Sequence, residues 1–479
     1  MIGQDGRVGP DGRVGPDGRV GQDGSVGQDG SVGQDGRVGQ DRGQAAFPPA
    51  PVDRGQLAAA LRPFGDSRML PPAAYTSAEV YAWEQRHFFG GGWTCVGHAS
   101  RLPAPGDQLA VPTGTGPTGT GSVILVRGAD GVLRAFANTC RHRGHELLPC
   151  AGTDTGAGPE PGAGGKRGAD AGPGTVNAKA IVCPYHSWTF SLAGQLRGAP
   201  GYRDLPPGDW SLRELPAVEW HGLVFVDASG GAAGPLPLST LEPLVAPYEP
   251  ERLVVAATHR YDAAANWKVL TENYHECYHC PTIHPELCSV SAPHSGANYD
   301  ASGGWLGGWM KLRPGAVTMS FDGRMSLDGH SGGVPLRGLS GDARRTVAYV
   351  GIFPNVLLSL HPDYVMTHVL RPAAAGRTVI ECSWAFAPEA AAAPGFDSSY
   401  AVDFWDLTNR QDWAACESVQ RGLGSPFAAA GPLAADEDAV YSFVTTVARG
   451  YLGTRPGEWP ARAGEGGWPA PALGPTRSE

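Results

Sequence analysis

Apolar residues run unbroken or alternate with polar ones through 122–136 (SVILVRGADGVLRAF), 222–227 (GLVFVD) and most of 346–386. Such stretches, rich in Val, Ile, Leu and Phe and bounded by Gly, Asp and Pro, predict strands. The first reads as two strands joined by an Ala-Asp-Gly turn. The last holds TVAYVGIF, VLLSLH, DYVMTHVL and TVIECSWAF, interrupted at Pro354, Pro362 and Pro372-to-Gly376. A period near 3.6 takes over at 75–89, 266–280, 398–423 and 435–452, and predicts helices there. Strands dominate the first half, and the second half mixes a sheet with helices, so the predicted class is α+β.

Composition changes this picture at the edges. The 479 residues include 70 Gly and 43 Pro, well above average usage. Residues 3–39 carry Gly at every third position in a hexapeptide repeat. Gly-X-Y is the triple-helix pattern, yet Pro occurs only at Pro10 and Pro16, so a disordered tail is expected. The runs 113–121 and 151–175 read as solvated loop insertions, because loop length costs entropy only logarithmically. From about Pro460 a second Pro/Gly/Ala-rich tail begins. Formal charge is −10, from 37 basic and 47 acidic residues, which argues against nucleic acid. No run of 18 apolar residues predicts a membrane span, and the N-terminus lacks a secretory pattern. Nine cysteines, an odd number, do not read as a disulfide framework, and a reduced, cytoplasmic chain is expected.

Two constellations carry chemistry. Cys140-x-His142 and Cys183-x-x-His186 each present a thiolate and an imidazole just after a strand-like run. Such a set could hold zinc or a [2Fe–2S] cluster in which His replaces Cys on one iron. Zinc fingers favour pairs of like ligands, whereas each arm here is mixed. Gly144 and Pro184 suit tight loops, and Cys150 reads as a thiol outside the set.

The second constellation is 266–284. His279 and His284 are five apart with Pro281 between them, so a helix must break there and can aim both imidazoles at one point. Two His and one carboxylate with open positions form the facial triad of non-haem Fe(II) oxygenases. In 398–423 the stripe Trp405, Thr408, Asn409, Asp412, Cys416 and Val419 has helical spacing. It places Asp412 on a mostly apolar or small face, where an unpaired carboxylate is costly. Asp403 and Asp406 are the alternatives, but Asp406 shares its face with Arg410, Glu417 and Arg421. Cys277 and Cys280 have redox-pair spacing without the surrounding βαβ pattern. Cys280 and Cys288 are therefore read as buried thiols, and His275 as structural.

Both segments resemble the α subunits of Rieske non-haem iron oxygenases, the ring-hydroxylating oxygenase family, and the resemblance runs from about residue 75 to 455. It implies an N-terminal Rieske β-domain followed by a helix-capped antiparallel-sheet catalytic domain. The expected division is a 1–45 tail, a 46–90 helical segment, a 91–235 Rieske domain with the 151–175 insertion, a 236–455 catalytic domain and a 456–479 tail. The resemblance assigns the [2Fe–2S] cluster to Cys140, His142, Cys183 and His186, and mononuclear Fe(II) to His279, His284 and Asp412. His145 and Tyr185 stand where respiratory Rieske proteins carry disulfide cysteines, so that bridge is expected to be absent. O2 is the oxidant, and NAD(P)H acts indirectly through a separate reductase. Glu276 falls where the family's acid bridges a cluster histidine of one subunit to an iron ligand of the next, in a homotrimer. Glu276, the CPTIHPEL continuation and the VQRGL helix look closest to oxygenases of glycine betaine and other quaternary amines. An aromatic ring is the alternative substrate, and a Rieske electron-transfer protein the alternative of another class. An aromatic cage for a quaternary ammonium could draw on Trp305, Trp309, Phe353, Tyr349 and Tyr364.

Overall fold

The apolar runs of 346–386 form the middle of one large antiparallel sheet. The computed structural model describes residues 47–113, 121–150, 174–300, 303–326 and 333–454. The repeat at 3–39, nearly all of both loop insertions and the tail from Pro460 lie outside the described residues. The sheet has seven strands in the order Val254–Ala263, Arg377–Phe386, Tyr364–Ala374, Val356–Leu360, Thr346–Ile352, Trp305–Lys311 and Ala297–Asn298. Side chains alternate between its faces. Leu357, Met366, Ile380 and Trp384 pack towards helical residues such as Trp267, Phe404 and Phe443. Val350, Leu358, Val365 and Val369 pack on the other side with Cys95, Leu223 and Phe225 of the N-terminal β-domain. Burial on both faces is why these strands read as continuous apolar runs.

The N-terminal domain is built from one five-stranded and two three-stranded sheets. The hairpin expected at 122–136 pairs Ser122–Arg127 with Leu133–Ala137. Its turn closes where the Gly128 N–H donates to the Val132 carbonyl at 2.8 Å, and Gly131 adopts φ 77°, a value glycine reaches without strain.

Three helical expectations need revision. The helix expected at 266–280 runs only from Trp267 to Tyr274, with His275 as its C-cap, and Cys280–Ile283 and Pro285–Val290 follow as separate short helices. Pro281 therefore starts a helix instead of interrupting one, as its fixed φ and missing N–H allow in a first turn. The 75–89 helix splits at Ser77, whose hydroxyl caps Ala78–Glu84 by accepting from the Glu79 and Val80 N–H groups. Helix Ser399–Leu423 forms as expected, but Val419 lies 50% exposed, outside the buried stripe.

Helix Trp267–Tyr274 is held by two buried carboxylates, Glu84 from outside it and Glu272 of its own. Glu84, fully buried, accepts from Lys268 Nζ at 2.6 Å, Trp267 Nε1 at 2.9 Å and the Tyr451 hydroxyl. Tyr75 donates to Glu272 at 2.8 Å. Burial lowers the Lys268 pKa while Glu84 and Glu272 pull it back up. Removing one partner of such a pair strands the other in an apolar interior. Glu84→Gln is expected to cost about 3–5 kcal/mol in chemical denaturation followed by tryptophan fluorescence, with Glu84→Gln/Lys268→Met recovering most of it. A loss below about 1 kcal/mol, the scale of an exposed pair, would show that the buried pair does not anchor the helix.

Candidate metal centres

The first site lies on two loops of the N-terminal domain. Cys140 accepts from the Gly144 N–H at 3.0 Å through its carbonyl, and its own N–H donates to the His145 carbonyl at 2.8 Å. The second loop repeats the pattern: the Cys183 N–H donates to Trp188 at 2.9 Å, and its carbonyl accepts from Ser187 at 3.0 Å. Gly144 and Ser187 take φ of 71° and 58°, so each loop folds back sharply after its cysteine. Both cysteines are buried. Burial raises the Cys140 thiol, and the adjacent Cys183 raises it further. The His142 and His186 rings lie 4.7 Å apart, and His142 stacks on Trp188 at 5.1 Å and 5°. His142 Nδ1 is buried without a partner, as a ligand nitrogen awaiting a metal would be. No disulfide joins the loops. His145 and Tyr185 instead pack ring to ring at 5.5 Å, with Arg143 over Tyr185. Cys150 is a half-buried thiol beyond the set.

The second site is assembled from the short helices after Tyr274 and from helix Ser399–Leu423. Ligand atoms of His279, His284 and Asp412 all lie within 4.8 Å of one another, the one such set among the described residues. Each imidazole is held by its far nitrogen: His279 Nδ1 pairs with Glu276, and His284 Nδ1 with Gln411 Oε1 at 2.7 Å. That leaves both Nε2 atoms directed at Asp412 Oδ1, at 3.3 Å and 2.8 Å. Fixing the tautomer from behind is how metal-binding histidines are oriented. Glu276 also accepts from the His279 N–H at 3.1 Å, which shapes the turn that ended the preceding helix early. Burial lowers His279, but hydrogen bonds to Asp412 and Glu276 outweigh it and hold its pKa up at about 9. His284 is raised by Asp412 against the same burial. Burial raises Asp412, yet the two imidazoles bring its pKa below the ordinary range. Two imidazoles and one carboxylate on one side leave the remaining metal positions open to O2 and substrate.

The other proposed third ligands fall elsewhere. Asp406 accepts from Tyr261 at 2.7 Å and Arg410 at 2.7 Å, and Asp403 is exposed. Cys280 is not a thiol: it forms a disulfide with Cys277 that brackets Tyr278 and His279. The CxxC spacing carried that signal. Gln411 was missed, because nothing but its place beside Asp412 marks it. Among the aromatic-cage residues, Trp305 and Trp309 share a strand face with each other, and Trp305 packs into the core beside the N-terminal domain. Phe353 packs on Phe88 and Trp267, and Tyr364 is fully buried. Tyr349 packs beside Trp405 of helix Ser399–Leu423, on the sheet face away from the N-terminal domain.

Residues 92–208 match the Rieske [2Fe-2S] domain, and residues 250–453 match the ring hydroxylating alpha subunit (catalytic domain). The glycine betaine monooxygenase oxygenase subunit of Chromohalobacter salexigens is 29% identical over 80% of this chain and 86% of its own length. The carnitine monooxygenase oxygenase subunit of Acinetobacter pittii is 34% identical over 45% of this chain and 52% of its own. The solved structure of a quaternary ammonium Rieske monooxygenase shares the fold, with TM-score 0.63 and 24% identity, covering 84% of this chain and all of the other.

A metal entering the second site must displace protons from histidines held high by their carboxylate neighbours. Affinity of the metal-free site for Fe(II) or Co(II) should therefore rise between about pH 6 and pH 9. Anaerobic titration with Co(II), read by visible absorption, measures it; a flat profile would contradict proton displacement. The protonated cluster's contribution to stability runs the opposite way. It is present below the ordinary histidine pKa and lost as pH climbs through about 9.

Proposed function

This chain belongs to the Rieske non-haem iron oxygenases as an α subunit, and from that premise we propose that it removes an N-methyl group from a small quaternary amine of the betaine class. It is an oxidoreductase fed by a separate NAD(P)H-dependent reductase. The observation that carries the substrate reading is the match over most of both chains to a glycine betaine monooxygenase oxygenase subunit.

The residues fit both cofactors. Two buried thiols with two imidazoles, one nitrogen of which is buried and unpartnered, suit a [2Fe–2S] cluster. His279, His284 and Asp412 suit Fe(II). When bound, the cluster and the iron together supply electrons and O2 activation for hydroxylating an N-methyl carbon, and the carbinolamine then releases formaldehyde and the tertiary amine. Glu276 and Gln411 keep the two imidazoles aimed, and Asp412 contributes the charge that offsets the metal's. The described residues contain no helix long and apolar enough to cross a membrane, and a cytoplasmic setting suits the seven cysteines that remain thiols.

We also assign Glu276 as the electron bridge between neighbouring copies in a head-to-tail homotrimer. Its carboxylate already holds His279. Beside it Tyr278 is 61% exposed, and on the cluster loops Tyr185 is 52% exposed, both unusual for aromatic side chains next to functional groups.

Reconstitution with a reductase, measuring O2, NADH and formaldehyde over betaines and aromatic acids, tests the substrate class. Formaldehyde stoichiometric with NADH is expected for a betaine, and product from aromatic acids alone would refute the class. Glu276→Gln should retain both metals yet leave the cluster reduced and form no product, because its electrons no longer reach the iron. Unchanged product in a single turnover would remove the bridging role.

A further inference from the structure

On the sheet face towards the iron-binding side chains, several buried polar atoms lack partners: the Tyr349 hydroxyl, both nitrogens of His361, and His368 Nδ1. Buried polar groups in native proteins are nearly always bonded, so a cluster of exceptions points to a missing occupant. The cluster is contiguous. Tyr349 pairs in register with Ser359, whose hydroxyl lies 2.8 Å from that of Tyr274. The Tyr274 ring is 5.9 Å from Tyr349 and 6.3 Å from His368. Trp405, on helix Ser399–Leu423, lies 6.4 Å from Tyr349 and 5.4 Å from His361. Tyr274 and Tyr349 lie between sheet and helix and are half-buried as residues, although the Tyr349 hydroxyl itself is buried.

The same helix ties this cluster to the metal site. Two turns after Trp405 it presents Asp412, about 10 Å along the axis. The groups of the cluster match both ends of a short zwitterion. The faces of Tyr274, Tyr349 and Trp405 offer the aromatic surface that a trimethylammonium prefers. His361 is kept neutral by burial, so it carries one N–H donor, and Tyr349 supplies an O–H donor. A bare cation could use neither.

We propose that Tyr349 and His361 are specificity-determining residues that donate hydrogen bonds to the carboxylate of a betaine and so select it over quaternary amines with no anionic end. The inference rests on the quaternary-amine reading and adds to it the recognised group. A site built to hydrogen-bond a substrate group discriminates strongly against analogues lacking it.

Calorimetric binding to the oxidised holoenzyme, without turnover, tests the assignment, with glycine betaine and ethyltrimethylammonium as probes. Tyr349→Phe, which keeps the ring, should weaken glycine betaine binding about 10- to 100-fold, the range for a hydrogen bond to a charged group. It should leave ethyltrimethylammonium unchanged. His361→Gln, with cluster absorbance and iron content checked, should act in the same direction. Equal losses for both probes, or no loss for either, would overturn the assignment. Binding and formaldehyde release with neither probe in the parent enzyme would instead overturn the quaternary-amine reading, and this assignment with it.

Discussion

The buried carboxylate of Glu84 ties together three parts of the chain that are far apart in sequence. It binds Lys268 and Trp267 on the helix leading to the metal ligands and Tyr451 on the C-terminal helix. A charge without water must be matched at close range or it destabilises the fold. Glu84 therefore fixes where helix Trp267–Tyr274 starts. The turn of Glu276 and His279 hangs from the far end of that helix, so its position depends on the same contact. A surface ion pair would not impose such a constraint.

From that anchor the metal site is specified in steps. The helix ends at His275, Glu276 folds back onto His279, and helix Ser399–Leu423 brings Gln411 and Asp412 to meet them. Each imidazole is held from behind, so little reorganisation of the histidines is left for a metal to impose. The cluster loops use another device, a pair of backbone hydrogen bonds around each cysteine. Both achieve preorganisation: the side chains take up position through the protein's own bonds.

Much of this was legible in the sequence. The sheet strands announced themselves because burial on both faces leaves few polar positions to confuse the pattern. Cys140, His142, Cys183, His186, His279 and His284 stood out because ligand residue types are rare at such spacing. Asp412 was legible as a carboxylate on a small-residue helical face. What stayed hidden depended on contacts distant in sequence. Periodicity carried the helix through to 280 because only Glu276 turning back to the His279 N–H ends it. Trp305 and Trp309 looked as suitable for binding a cation as Tyr349, since composition does not say which side of a strand faces the metal. His361 and Tyr274 gain meaning only when the sheet and helix are brought together.

The two faces of the seven-stranded sheet have a consequence for electron flow. The N-terminal domain packs on one face, and the helices bearing the metal ligands pack on the other. In the proposed ring, the sheet would separate each chain's own electron store from the place where electrons are spent. A single chain would then hold parts of two circuits and complete neither. In the proposed ring, the working unit is a cluster borrowed from one copy and an iron owned by the next. Damage to one chain's cysteine loops would silence its neighbour's chemistry and leave its own intact.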